Sequence, residues 1–162
     1  MNLGGMRPDD AAATATDPDE GVAPKLLLCD DSATERRALA HYLRGQGYVV
    51  NEAANGAEAV ELLKASAVDL LLLDLHMPRR DGFHVLSYVQ EHRRALPVVL
   101  LSGMPPDQIQ HQMHRLPTRE LPPLLLKPID PAQLVQVVEL QLAGGLGHDP
   151  IAGSGDPGQD PT

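Results

Sequence analysis

The sequence predicts an α/β protein built on a doubly wound, five-stranded parallel sheet with helices on both faces. Five short runs are apolar throughout, as is typical of parallel strands that are covered on both sides. Each run is followed by a longer stretch in which apolar residues recur at helical spacing. Five successive strand–helix units favour a doubly wound sheet over other α/β arrangements.

The predicted elements alternate along residues 25–142. Strands are expected at 26–29, 48–50, 70–73, 98–101 and 124–126, and helices at about 33–45, 56–65, 82–95, 105–116 and 131–142. Gly45 and Gly47 favour an end to the first helix, because glycine is the commonest residue just past a helix terminus. Asp130 followed by Pro131 offers the last helix an N-cap and a first-turn proline.

The two ends of the chain have a different composition from the middle. Residues 1–24 and 143–162 are rich in small and acidic residues, lack apolar periodicity, and have net charges of −4 and −3. We expect both to be disordered tails around one domain at 25–142, because they cannot bury enough apolar surface to offset chain entropy. Since the whole chain has a net charge of −9, the domain has only −2. Such a nearly neutral domain has no electrostatic footprint for DNA.

The sequence also indicates a cellular compartment. Cys29 is the single cysteine, so no intrachain disulfide can form, which fits a reducing environment. Cys29 itself is expected to be a small buried hydrophobe. No secretory signal is recognisable at the N-terminus, and the apolar runs are far too short to span a membrane. We therefore expect a cytoplasmic protein without a membrane partner.

Polar residues follow four of the five predicted strands. They are Asp30, Asp31, Asp74, Ser102 and Lys127, and Gly103 comes directly after the serine. Because ligands in open α/β sheets bind beyond the carboxyl ends of the strands, we expect these residues to meet at one edge. An acidic pair after a strand is also typical of a helix N-terminus. Asp81 is expected to cap the third helix and not to belong to the site.

These residue types suit phosphoryl transfer. Crowded carboxylates repel each other unless a cation is bound, and Mg²⁺ prefers oxygen ligands of this kind. A carboxylate can also attack phosphorus and form an acyl phosphate. The phosphoryl oxygens would then be neutralised by Mg²⁺, by Lys127, and by the Ser102 hydroxyl with a nearby backbone N–H. Gly103 would leave room for the group.

Four segments resemble the receiver domain of two-component response regulators, of the stand-alone, single-domain type. They are residues 26–32 (LLLCDDS), 69–82 (DLLLLDLHMPRRDG), 99–103 (VLLSG) and 125–128 (LLKP). The string Asp-x-x-Met-Pro-x-x-Asp-Gly is specific in itself, and the four segments occur in the right order. The resemblance spans about 25–142 and implies a flavodoxin-like fold.

The resemblance implies a role for each matching acidic residue. Asp74 would be the phosphoacceptor and, in its carboxylate form, a Mg²⁺ ligand. Asp31 would bind the metal directly, and Asp30 mainly through water. The backbone carbonyl of His76 would supply a further ligand.

The resemblance also implies how the phosphoryl group is bound and how its presence is transmitted. Ser102 and Lys127 would bind the group and couple it to movement, and the bond between Lys127 and Pro128 would be cis. Leu124 is a departure, because the family usually has an aromatic switch residue three positions before the lysine. A longer, proline-rich stretch at 116–123 is a second departure. Both fall on the surface that usually transmits the signal.

Three functions are compatible with these residues. The first is a single-domain response regulator that accepts a phosphoryl group on Asp74 from a sensor histidine kinase or phosphotransfer protein. Since no room for an output domain is expected after residue 142, the signal would pass to an unknown downstream protein, without enzymatic activity. The second is a degenerate receiver that binds partners without phosphorylation, which Leu124 favours. The third is a haloacid-dehalogenase-like phosphohydrolase, which would need its nucleophile after the first strand.

Overall fold

A five-stranded parallel sheet lies at the centre of the computed structural model, which describes residues 22–114 and 122–147. The strands are β1 Lys25–Cys29, β2 Val49–Ala53, β3 Leu70–Asp74, β4 Val98–Ser102 and β5 Leu124–Leu126. The helices are α1 Ala33–Gly45, α2 Gly56–Ala65, α3 Asp81–His92, α4 Pro106–Met113 and α5 Pro131–Gly147, and a 3₁₀ turn covers Pro78–Arg80. Of the tails expected at 1–24 and 143–162, residues 1–21 and 148–162 lie outside the described residues, as do residues 115–121 of the proline-rich stretch.

The strand order is β2-β1-β3-β4-β5, and every neighbouring pair is parallel. The doubly wound α/β prediction is therefore confirmed. The order reverses at β1, because β2 lies on one side of it and β3 on the other. Cys29 of β1 is opposite Leu73 of β3, so Asp30 and Asp74 follow as neighbours at the carboxyl edge. That edge beside the reversal is where ligands bind in sheets of this class.

Two apolar layers cover the sheet because successive side chains of each strand point to opposite faces. One layer contains Leu27 and Cys29 of β1 and packs against α2, α3 and α4. The other contains Leu26 and Leu28 and packs against α1 and α5. Cys29 is fully buried, as expected. Burial raises the pKa of its thiol to about 12, and the charges of Asp74 and Asp30 add to the effect.

Some elements differ in length from the prediction. Strand β2 continues to Ala53, beyond the apolar run at 48–50, because Glu52 forms ion pairs of 3.0 Å with Arg36 and 3.3 Å with Arg44 of α1. A polar residue in this edge strand is thus satisfied by salt bridges. Helix α3 ends at His92 instead of residue 95, and α5 continues to Gly147 instead of ending at 142. Within the described ranges, no helix is both long and apolar enough to cross a bilayer.

Candidate functional site

Three carboxylates meet at the carboxyl edge of the sheet. Asp30, Asp31 and Asp74 each offer one oxygen, and these oxygens all lie within 4.8 Å of one another. Asp30 is 0 % and Asp74 1 % exposed, whereas Asp31 is exposed to solvent. Burial of two acids at this separation is costly unless positive charge compensates it, so the arrangement fits a divalent cation with oxygen ligands.

Asp30 is fixed by hydrogen bonds on every side. Its Oδ1 accepts from the backbone N–H of Ser32 at 2.9 Å, and its Oδ2 from Lys127 Nζ at 3.1 Å. Its backbone carbonyl accepts from Arg36 Nη1 at 2.8 Å. Sequence reasoning missed this role of Arg36, because nothing in the sequence shows that an arginine of the second turn of α1 reaches back to the strand end.

The two carboxylate oxygens of Asp74 accept hydrogen bonds from different donors, one from the backbone and one from the lysine. Oδ1 accepts from the His76 N–H at 2.9 Å, and Oδ2 from Lys127 Nζ at 3.2 Å. Burial raises the pKa of Asp74 to about 6, and the charge of Asp30 also raises it, while the His76 N–H and Lys127 act in the opposite direction. A bound divalent cation would favour the ionised form that a nucleophile requires.

Lys127 joins three acids. Its Nζ lies 3.1 Å from Asp30, 3.2 Å from Asp74 and 2.6 Å from Glu35 of α1. Burial alone would lower the pKa of Lys127, but the hydrogen bond to Glu35 and the charges of Asp74 and Asp30 raise it above its ordinary value. The lysine is therefore a fixed cation. The sequence did not predict Glu35, because its position in Ser-x-x-Glu is typical of a helix cap.

An open cavity of about 470 Å³ lies beside Asp74. It is lined by Asp31, Ser32, Glu35, Asp74, His76, Met77, Pro78, Gly103 and Lys127. A Cβ atom at Gly103 would meet nothing within 4 Å, so this side of the opening is uncrowded. Ser102 is fully buried, and its Oγ accepts from the Met104 N–H at 2.9 Å. The backbone N–H of Lys127 donates to the Ser102 carbonyl at 2.9 Å, which ties β5 to β4.

Two further predicted positions lie in β5 or directly after it. The peptide bond between Lys127 and Pro128 is cis. Leu124 is partly buried in β5 and packs against the apolar layer formed with α2, α3 and α4.

Helix α3 begins in close contact with the end of β3. A Cβ atom at Gly82 would lie 2.5 Å from the carbonyl oxygen of Asp74 and 2.8 Å from Leu75 Cα. Only glycine allows this approach, which places the helix directly behind the strand end that holds Asp74. Asp81 was expected to cap α3, but its Oδ2 accepts instead from the Gly56 N–H at 3.0 Å, at the start of α2. The Asp-Gly pair therefore braces the site.

The sequence pattern of the response regulator receiver domain matches residues 26–139. The chain belongs to this family. Among curated relatives of this receiver domain, the transcriptional regulatory protein PdtaR of Mycobacterium tuberculosis is 36 % identical over 129 residues, 79 % of the chain and 61 % of the relative. ResD of Bacillus subtilis, another transcriptional regulatory protein, is 33 % identical over 124 residues, 76 % of the chain and 50 % of the relative. The chain thus spans only 50 to 61 % of the length of these two relatives.

Solved structures resemble the receiver fold described above. A CheY-like receiver domain protein from Methanospirillum hungatei has a TM-score of 0.70 at 18 % identity, over 78 % of this chain and 99 % of that one. A response regulator receiver protein from Sinorhizobium medicae has a TM-score of 0.66 at 28 % identity, over 76 % of this chain and 97 % of that one. The first likeness concerns the fold alone, and the second adds sequence similarity.

Proposed function

We propose that this receiver accepts a phosphoryl group on Asp74 in a Mg²⁺-dependent reaction and acts as a signalling module, not as an enzyme. The observation that supports this most directly is the set of contacts around one buried carboxylate. Asp74 shares Lys127 with Asp30, and an exposed acid, Asp31, lies within 4.8 Å. The donor would be a sensor histidine kinase or a phosphotransfer protein.

The chemistry requires one bond to form and one to break. A carboxylate oxygen of Asp74 attacks phosphorus, and the bond between phosphorus and the donor's nitrogen or oxygen breaks as its electron pair returns to the donor. Asp31, Asp74 and the His76 carbonyl, with Asp30 mainly through water, would hold Mg²⁺, which would neutralise charge on a phosphoryl oxygen when bound. Lys127 neutralises a second oxygen. The Ser102 hydroxyl can donate to a third while its oxygen still accepts from Met104.

The signal leaves through contacts with a protein partner in this proposal. The domain at 25–142 has a net charge of only −2, which gives no reason to propose DNA as the partner. The proposed location is the cytoplasm, a reducing compartment that suits a chain with a single cysteine. The phosphoryl group adds about 1.5 to 2 negative charges at the site, which gives the partner a difference to recognise.

The test is incubation of the whole chain with Mg²⁺ and acetyl phosphate, followed by intact mass measurement. We expect the addition of one phosphoryl group, and no addition when Mg²⁺ is chelated beforehand. Steady turnover of a phosphate ester would instead indicate a phosphohydrolase. Failure to form the adduct with acetyl phosphate, phosphoramidate or a phosphorylated histidine protein would overturn the proposal in favour of a binding module that works without phosphate.

A further inference from the structure

Helices α1 and α2 begin with the same sequence motif. Ser32 is the N-cap of α1 and Glu35 follows three residues later, while Asn55 and Glu58 occupy the same positions in α2. Each cap side chain accepts the N–H of its glutamate, at 3.3 Å in α1 and 2.9 Å in α2. In such a capping box, the glutamate side chain normally returns to a free backbone N–H at the start of the helix.

The two glutamates nevertheless have different partners. Glu58 turns back to the start of α2, where its Oε1 accepts from the N–H of Ala54, the residue before the N-cap, at 2.8 Å. In α1 the N–H of the N-cap residue Ser32, to which a capping-box glutamate normally returns, donates instead to Asp30 Oδ1. The carboxylate of Glu35 is therefore not needed at the helix end, and it accepts from Lys127 Nζ at 2.6 Å.

The position of this ion pair is also distinctive. Glu35 and Lys127 line both the open cavity beside Asp74 and an adjacent cavity of about 260 Å³. The second cavity is bordered by Leu39, Pro128 and Ile129. The pair thus lies on the boundary between the two spaces, and Glu35 places a negative charge at the opening through which a phosphodonor would reach Asp74.

We propose that Glu35 is a positioning residue that restrains Lys127 before phosphorylation and yields it to the arriving phosphoryl group. This inference rests on the proposed phosphorylation of Asp74. An ammonium has three N–H donors, and all three acids within 3.2 Å compete for them with a phosphoryl oxygen. Asp30 is buried and held by Ser32, whereas the Glu35 side chain is 53 % exposed and can turn into water. Glu35 is therefore the partner that is exchanged, and its charge slows the approach of an anionic donor.

The experiment compares Glu35→Gln with Glu58→Gln, which makes the same change of charge in the same motif of α2. Initial rates of phosphorylation are measured by intact mass at saturating Mg²⁺ over a series of acetyl phosphate concentrations. We expect Glu35→Gln to raise the apparent second-order rate constant roughly two- to fivefold, the range that an exposed ion pair supports. We expect Glu58→Gln to match the wild type in rate. A merely structural glutamate would change thermal stability in both variants without this difference.

Salt and a second variant sharpen the test. The advantage of Glu35→Gln should shrink as ionic strength rises, because screening weakens the repulsion of the donor. Glu35→Ala should also react faster than the wild type, and it covers the case in which glutamine at this position disturbs the fold. Equal rates for wild type and both Glu35 variants, slower rates for the variants, or an equal gain in Glu58→Gln would each overturn the inference while leaving phosphorylation of Asp74 intact. Absence of an adduct in the wild type would overturn the proposed function, and the inference with it.

Discussion

Acidic residues at the amino edge of the sheet, where the strands begin, and at its carboxyl edge, where they end, have opposite surroundings. At the amino edge, Asp69 precedes β3 and is exposed, and its Oδ2 accepts from the Lys25 backbone N–H at 2.8 Å. At the carboxyl edge of the same strands, Asp30 and Asp74 are almost completely buried. The strands between them are equally apolar, so the difference lies only in what surrounds each end.

This difference in burial has an energetic cost. A solvated carboxylate such as Asp69 costs the fold little, whereas a buried one costs roughly several kcal/mol, even after the protein has relaxed around it, unless its charge is compensated. At the carboxyl edge that compensation is incomplete, because Lys127 Nζ is shared among three carboxylates, each within 3.2 Å. A divalent cation would compensate the remaining negative charge.

The largest expected effect is on phosphorylation, which should require the acid at the carboxyl edge but not the one at the amino edge. Asp74→Asn should abolish phosphorylation by acetyl phosphate, because the amide is not a nucleophile toward phosphorus, whereas Asp69→Asn should react at the wild-type rate. Intact mass after incubation with donor and Mg²⁺ provides the measurement. An adduct that persists in Asp74→Asn would move the phosphoacceptor to another residue and break the comparison.

The next effect concerns the packing behind the carboxyl edge. Gly82→Ala should destabilise the protein by about 2–4 kcal/mol, since its Cβ would collide with backbone atoms of residues 74 and 75 that cannot move aside. Chemical denaturation measures the change. Gly144→Ala in α5 is the control, because its Cβ meets nothing within 4 Å, and alanine there should be neutral or stabilising. Equal stabilities of the two variants would show that α3 can shift away from β3.

The sequence predicts the buried edge well and its surroundings less well. Apolar runs locate the strands because both faces are covered, and the residue after each run must lie at the carboxyl edge, which brings Asp30, Asp74 and Lys127 together. Glu35 was missed because its motif describes a helix cap, and only the structure shows that Asp30 takes the cap's N–H. The contact of Gly82 depends on an approach between two elements, which no local pattern encodes.

A smaller effect separates the edges by pH. Burial raises the pKa of Asp74 from its ordinary value of 3.8 to about 6, so the folded metal-free protein holds this proton more tightly than the unfolded chain. Ionisation of Asp74 therefore lowers stability as the pH rises from about 4 to 6, by roughly 3 kcal/mol at most. Below both pKa values, this cost is absent.

In chelator, Asp74→Asn should accordingly be more stable than the wild type at pH 7, and the advantage should shrink towards pH 4. Asp69→Asn, which removes an exposed carboxylate at the other edge, is the control in the same denaturation series. A stability gain in Asp74→Asn that is the same at both pH values would mean that ionisation of the buried carboxylate does not destabilise the fold.

The smallest effect compares two exposed acids, one at each edge. If the carboxyl edge binds Mg²⁺, the ion should stabilise the fold by about 1.4 kcal/mol at ten times its dissociation constant, because it binds the folded state alone. Asp31→Asn should remove most of this gain, since Asp31 offers an oxygen within 4.8 Å of those of Asp30 and Asp74. Asp69→Asn removes the same charge but should keep the whole gain. Thermal unfolding with and without Mg²⁺ measures both. Equal Mg²⁺ effects in the two variants would show that the ion screens the charge of the acidic chain generally. The carboxyl edge would then not be a specific metal site.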